Sequence, residues 1–274
     1  MRQAARLPAA AGRFYPAGRH ELESAVMQAL GQDKAKREKA VAAVCPHAGY
    51  IYSGAVAGAV YSSLEISKTV ILIGPNHTGF GPEVSIMDQG SWRVPNGELK
   101  VDTSLAKAIM GRSALFKADS SAHVYEHSLE VQVPFICHLR PDAMIVPITI
   151  MRAARQELET IGKSIAEAVR AAYNKRPAPL IIASSDMSHY VSDNEARNKD
   201  ALAIRDILAL DPAAMLETVH RNNISMCGVL PVAAMLYAAM ELGVKDARLV
   251  KYATSAETSG DFEHVVGYAG IIVK

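Results

Sequence analysis

The sequence predicts an α/β fold, a three-layer sandwich around a mixed, largely parallel sheet, and three observations carry the prediction. Apolar runs at 41–44, 70–73 and 180–183 have the length and uniformity of strands buried on both faces. Segments with helical spacing alternate with such runs along most of the chain. Each of the three runs passes into a polar turn that carries a histidine. These are His47 in Cys45-Pro46-His47-Ala48-Gly49-Tyr50, His77 in Gly74-Pro75-Asn76-His77-Thr78-Gly79, and His189 in Ser184-Ser185-Asp186-Met187-Ser188-His189-Tyr190. Ligands of wound α/β sheets bind in the crevice beyond the carboxyl ends of the strands, so histidines at such ends can converge on a metal or acid/base site.

Taken in order, 21–30 reads as a helix with Leu22, Val26 and Leu30 on one face and Gly31 as its stop. The first strand, 40–44, follows. Ser53 is placed as the cap of a helix over 54–64, whose alanines and glycines allow close approach to a sheet. The strand at 70–73 completes a βαβ unit and so runs parallel to the first. Between 83 and 101, short β-like pieces turn around Gln89-Gly90-Ser91 and Pro95-Asn96-Gly97.

Asp102 caps a helix over 103–110, which Gly111 ends. Residues 126–139 read as helical, with Pro134 kinking the helix or starting a second one. A buried strand at 144–150 precedes a helix whose core stripe is Leu158, Ile161, Ile165 and Val169. Ser192 and Glu195 carry a capping-box signature for a helix to about Leu208. Helices at 212–221 and 228–242 follow, and the tail returns to strand at 248–253 and 265–273.

With 274 residues, half of them apolar, the chain can bury a sizeable core, and no linker, charge block or repeat divides it. It is read as one domain over 1–274. The formal net charge of +1 comes from interspersed charges with no basic run among aromatics, which argues against a nucleic-acid partner. No uncharged stretch reaches membrane-spanning length. Arg6, Pro8 and Arg13 interrupt any export-type apolar segment, and three widely spaced cysteines make no disulfide framework, so a cytoplasmic setting is expected.

Among the chemical groups, His47 sits between Pro46, which restricts the backbone, and Gly49, which frees it; a neutral imidazole there suits a borderline metal or proton transfer. The bland alternative is a histidine that only ties its loop. The turn holding His77 lacks the Lys-Ser/Thr ending of a phosphate loop and the full dinucleotide glycine spacing, and both signatures are rejected. Cys227 lies where the last long helix begins, a position that favours the thiolate; the alternative is a buried apolar thiol.

Asp186, His189 and Tyr190 can tune one another, and Glu126, His127 and Glu130 form a second acid/base candidate or a solvated helix face. Tyr50 adds a polar-tipped ring beside His47. No Gly-x-Ser-x-Gly elbow is present, which weakens a serine nucleophile. His123, His138, His220 and His264 read as structural.

Together these motifs resemble the Memo family, the AmmeMemoRadiSam system protein B of prokaryotes. The resemblance runs from Ala11-Gly12-Arg13-Phe14-Tyr15-Pro16 through Pro46-His47-Ala48-Gly49-Tyr50 and Gly74-Pro75-Asn76-His77. It continues in Glu126-His127-Ser128-Leu129-Glu130, Ser184-Ser185-Asp186-Met187-Ser188-His189 and Cys227-Gly228. Memo proteins are similar in fold to LigB-type class III extradiol dioxygenases, which implies a LigB-like domain with its pocket at the strand ends.

Carried onto this chain, the resemblance implies His47, His77 and Cys227 as metal ligands, with iron expected and copper as the alternative. It makes His189 the pocket acid/base; from the residues themselves, Asp186 beside it is the second catalytic candidate, and Tyr50, Glu126, His127 and Tyr190 are the substrate-pocket candidates. Eukaryotic members carry a second histidine where this chain has Thr78, which leaves His77 to take the ligand role or the site to bind metal weakly.

The implied function is a non-haem metal-dependent oxidoreductase acting on a small aromatic or related substrate. A non-enzymatic peptide-binding adaptor using the same pocket is the alternative, and a metal-dependent hydrolase is disfavoured for want of a carboxylate-rich motif. AMMECR-type and radical SAM proteins of the same system are the implied protein partners.

Overall fold

The computed structural model describes residues 5–31, 37–174 and 177–274. A short strand β1 (Ala5–Arg6) and helix α1 (Arg19–Leu30) lead to β2 (Ala42–Cys45), α2 (Tyr50–Ser63) and β3 (Thr69–Pro75). An excursion follows through β4 (Val84–Ile86), β5 (Ser91–Val94) and β6 (Gly97–Val101). Next come α3 (Thr103–Met110), β7 (Lys117–Ala118) and α4 (Ser121–Val124). One 3-10 turn, Glu130–Gln132, enters α5 (Val133–Leu139), then β8 (Met144–Ile150), α6 (Arg155–Tyr173) and β9 (Leu180–Ser184). The chain continues through β10 (His189–Val191), α7 (Asp193–Leu208), α8 (Pro212–Arg221) and α9 (Val229–Glu241). It ends with β11 (Ala247–Thr254), α10 (Ala256–Ser259) and β12 (Val265–Val273).

The sheet is mixed and largely parallel at its centre, where β8, β3, β9 and β2 lie side by side in parallel. Antiparallel β12 follows β2, and β11 closes that edge. Strand β9 lies between β2 and β3, so the first two histidine-bearing strands are parallel without touching. Ala183 pairs with Val44 on one side and Ile73 on the other, which sets the three strand ends level. The three polar turns therefore leave the sheet from adjacent positions.

Strand periodicity sorts the core into two faces. On one face Val44, Ile71, Ile73, Ile148 and Ile181 pack with α3, α6, α8 and α9 side chains such as Ile109, Ile161, Met215 and Val232. On the other, Ala43, Cys45, Val70, Leu72 and Ile182 pack with Leu22 and Val26 of α1, Val60 and Tyr61 of α2, and Phe135 of α5. Helices thus cover both faces, as a central parallel sheet requires. Among the described residues no helix is long and apolar enough to cross a membrane.

Two local expectations are corrected. Helix α2 begins at Tyr50 rather than after Ser53, and the Ser53 hydroxyl turns back to donate to the Ala48 carbonyl at 2.9 Å. The helix expected over 126–139 forms only from residue 130, because its first residues are drawn into buried contacts instead. Pro134 then opens α5, where a missing amide costs nothing. The Asp102 and Ser192 caps form as read, accepting from Leu105 N at 3.0 Å and Glu195 N at 3.3 Å.

Candidate metal centre

His47 follows β2 directly and is only 2% exposed. Its backbone amide donates to Asp186 Oδ1 at 2.7 Å, which pins the turn after β2 to the turn after β9. Its Nδ1 lies 2.9 Å from Ser184 Oγ. That hydroxyl gives its one proton to the Ser128 carbonyl at 2.7 Å and accepts from Gln132 Nε2 at 3.0 Å. Toward His47 it can only accept, so Nδ1 carries the imidazole proton and the Nε2 lone pair is free. Burial, then His127, His77 and His189 nearby, depress the proton affinity of His47 well below the ordinary imidazole range.

His77 is oriented by a carboxylate. Glu126 accepts from His77 Nδ1 at 2.9 Å and from its amide at 2.5 Å, again leaving Nε2 as a lone pair. Burial opposes charge on Glu126, but the His77 contacts and the Ser128 and His77 amides outweigh it and hold the carboxyl at about 2. The His47 and His77 rings stand edge to face with centroids 5.3 Å apart. Thr78 contributes to the turn rather than to the donor set, its hydroxyl donating to Asn76 Oδ1 at 2.9 Å.

Cys227 arrives just ahead of α9, with Sγ 3.2 Å from His47 Nε2. Its approach depends on Gly228, where a Cβ would lie 2.3 Å from the Ser184 carbonyl oxygen and 2.5 Å from Ser185 Cβ. The expected helix-stabilised thiolate is not what the surroundings favour. Burial first, and the Asp186 carboxylate second, push the thiol up, and the Asp186 amide donating to Sγ at 3.3 Å does not offset them. A bound cation reverses that balance, because a coordinated thiol ionises outright.

One donor atom each from His47, His77 and Cys227 lies within 4.8 Å of the others. Two deprotonated imidazole nitrogens and a sulfur fit a borderline transition metal and leave coordination positions open. His77, Glu126 and His127 form a second group on the same criterion, but Glu126 there is already occupied in orienting His77.

The remaining sequence candidates are spread around these donors. Asp186 is 4% exposed, and burial raises its carboxyl to about 6 against the opposing His47 amide and His189. His189 Nδ1 faces the Met187 and Ser225 carbonyls at 2.8 and 2.9 Å, so it carries a proton and donates to them. Tyr190 points outward, 76% exposed, with a left-handed φ of 58°. His127 stacks between Phe14 and His77, at centroid distances of 4.2 and 4.8 Å, and burial brings its pKa down to about 4.

Tyr50 and Glu130 serve elsewhere. The Tyr50 hydroxyl donates to the Val131 carbonyl at 2.7 Å, and its ring packs on Tyr15 and Phe135. Glu130, fully buried, pairs with Arg6 at 2.6 Å and accepts from the Ala9 and Ala10 amides and the Tyr15 hydroxyl. It anchors the N-terminal strap that carries Phe14. Sequence reasoning missed Ser184, Gln132 and Phe14 as parts of the site. Only Phe14 had a signal, as an aromatic bracketed by Gly12 and Pro16.

A parallel-centred α/β sheet with imidazole donors beyond the ends of β2 and β3, and a thiol brought to them from the loop before α9, defines a class of α/β proteins with a candidate metal site outside the carboxyl ends of the strands. Within that class the chain belongs to the Memo family: the family described as Memo-like protein matches residues 6–272. A MEMO1 family protein of Methanosarcina acetivorans is 42% identical over 270 residues, covering 98% of this chain and 99% of that one. One from Methanopyrus kandleri is 38% identical over 282 residues, again covering 98% and 99%. The crystal structure of an uncharacterized Escherichia coli K12 protein shares the fold, with a TM-score of 0.56 at 13% identity over 84% of this chain and 98% of that chain.

Proposed function

We propose that this protein is a metal-dependent oxidoreductase with a pocket of the extradiol-dioxygenase kind, in which His47, His77 and Cys227 hold iron or copper and a small aromatic or related molecule is the substrate. The observation that carries the reading is the convergence of the three donor atoms within 4.8 Å of one another, with both imidazoles held in the tautomer that frees Nε2. A redox metal with open positions supplies joint binding and activation of O₂ and substrate.

The protein's own groups do the rest. Ser184 and Glu126 fix the ring orientations of His47 and His77. His189 offers Nε2 as a proton acceptor, with Nδ1 anchored on two carbonyls. Phe14, stacked on His127 at 4.2 Å, holds that imidazole against His77 and closes one side of the site with aromatic carbon.

Anaerobic purification, metal analysis and O₂-uptake measurement with a panel of catechols test the proposal. Wild type is expected to retain iron or copper and consume O₂ with at least one catechol, and His47→Ala and Cys227→Ala to lose both. A chain that takes up neither metal under any loading condition overturns it. The peptide-binding reading is favoured by exposed rings beside the site residues in sequence, Phe80, Tyr125 and Tyr190, at 55%, 68% and 76% exposure. Metal uptake without O₂ consumption, together with saturable peptide binding, selects that reading.

A further inference from the structure

A cavity of about 630 Å³ lies on the strap side of Phe14, between α1, the start of α2, β11 and α10. That volume is in the range that accommodates a drug-sized molecule. Two of its wall tyrosines have their polar ends tied away from it: the Tyr15 hydroxyl donates to Glu130 and the Tyr50 hydroxyl to Val131. Neither hydroxyl is therefore offered to the cavity.

Charge in the cavity is unbalanced. Arg13 and Lys251 both line it, and among the described residues neither has a carboxylate within ion-pair distance. The one lining carboxylate, Glu257, already faces Arg197 at 3.7 Å.

The backbone that carries Arg13 is fixed, while its side chain is exposed. Gly12, at φ +79°, allows a tight turn in which Gly12 N donates to the Tyr15 carbonyl at 2.7 Å and Phe14 N to the Ala10 carbonyl at 2.9 Å. Buried Glu130 holds both flanks of that turn through Ala10 and Tyr15. The Arg13 guanidinium then stands 5.9 Å from the Phe14 ring centroid. A guanidinium fork beside ring faces matches a planar body bearing a carboxylate.

We propose that this cavity is a binding site for a planar aromatic carboxylate, whose anionic group is taken by Arg13 with support from Lys251. The proposal does not depend on the metal reading, although Phe14 is shared by the two sites and the Arg13 charge reaches His127, so its test uses the full chain stripped of metal by a chelator. The probes are 2-naphthoate and its neutral analogue 2-naphthamide, titrated by calorimetry, with saturation transfer used to locate contact with the ring protons.

Naphthoate is expected to bind about fivefold more tightly than naphthamide. Arg13→Gln is expected to weaken naphthoate about three- to fivefold and leave naphthamide unchanged, Arg13→Lys to fall between, and exposed Arg155→Gln on α6 to change neither. Ala55→Phe, which fills the cavity from an exposed position on α2, should abolish binding of both probes while circular dichroism shows an intact fold. Equal affinity for the two probes, an Arg13→Gln variant that binds naphthoate like wild type, or no saturable binding up to the solubility limit each overturns the proposal.

Discussion

His47 Nε2 and Cys227 Sγ lie 3.2 Å apart although 180 residues separate them in the chain. The contact joins the end of the strand nearest the antiparallel edge to the loop before α9, and it forms only because both loops rest on Ser184, Ser185 and Asp186 at the end of β9. Thiol and imidazole satisfy one another as donor and acceptor. A metal replaces that hydrogen bond with two coordinate bonds. Cys227→Ala and His47→Ala are therefore each expected to lower metal affinity by at least about 100-fold, and His47→Ala, which also empties a buried, hydrogen-bonded position, to lower thermal stability without metal more than Cys227→Ala does. Competition with a chromogenic chelator measures the first effect and a thermal melt of stripped protein the second.

The Glu126 carboxylate is taken up by the His77 turn and the Ser128 amide, and it sets the tautomer of His77. Glu126→Gln keeps the shape, but it weakens the acceptor facing Nδ1–H and turns a donor toward one of the two His77 groups. The expected result is a loss of about 10- to 100-fold in metal affinity with the fold intact. The same chelator competition reads it, and loss of the hydrogen-bonded Nδ1–H proton signal of His77 by NMR identifies the cause. A variant that binds metal like wild type would show that His77 orients without its carboxylate.

Much of this arrangement was legible in the sequence for a simple reason: buried parallel strands are uniformly apolar, and their ends are marked by Pro and Gly around His47 and His77. What escaped was long-range or polar within buried turns. Ser184 looks like any strand-end serine until the Ser128 carbonyl claims its proton. Glu126 and Glu130 fit a helical pattern, and only burial against His77 and Arg6 reveals why the helix starts late. Tyr50 stands next to the His47 turn in sequence, but the first turn of α2 swings its hydroxyl to Val131. The preference of Cys227 for the thiol rather than the thiolate depends on the buried Asp186 beside it, which local helix-end reasoning does not include.

Gly228 admits no side chain without movement. A methyl group there would lie 2.3 Å from the Ser184 carbonyl oxygen and 2.7 Å from Ser185 Oγ, both on the rigid end of β9, so the α9 loop must retreat. Retreat carries Cys227 away from His47. Gly228→Ala is expected to cost about 1–3 kcal/mol in stability as an overpacking change and to weaken metal binding in the manner of Cys227→Ala. Urea unfolding and chelator competition on the same preparation check both. Destabilisation with unaltered metal affinity would mean that the strain is relieved elsewhere and that Gly228 does not position the thiol.

His123 provides the clearest pH signature. It is fully buried, its ring stands edge to face with Trp92 at a centroid distance of 5.8 Å, and among the described residues neither ring nitrogen has a hydrogen-bond partner. Burial, with Arg6 adding to it and Asp119 and Glu126 opposing, brings its pKa down to about 3. The unfolded chain then binds a proton below about pH 6.5 that the native state refuses, so stability present above that pH is lost as the pH falls toward 3. The loss attributable to this group is about 1.4 kcal/mol per pH unit inside the window. His123→Leu removes the group and leaves no unsatisfied atom, so it is expected to be neutral or stabilising at pH 7. Its advantage over wild type should grow by about 2 kcal/mol on going to pH 5. Comparing the two chains by urea unfolding at both pH values cancels the contributions of His127 and Asp186, which titrate in each. A constant difference between pH 7 and pH 5 would show that the native chain admits a proton, or a water, at His123.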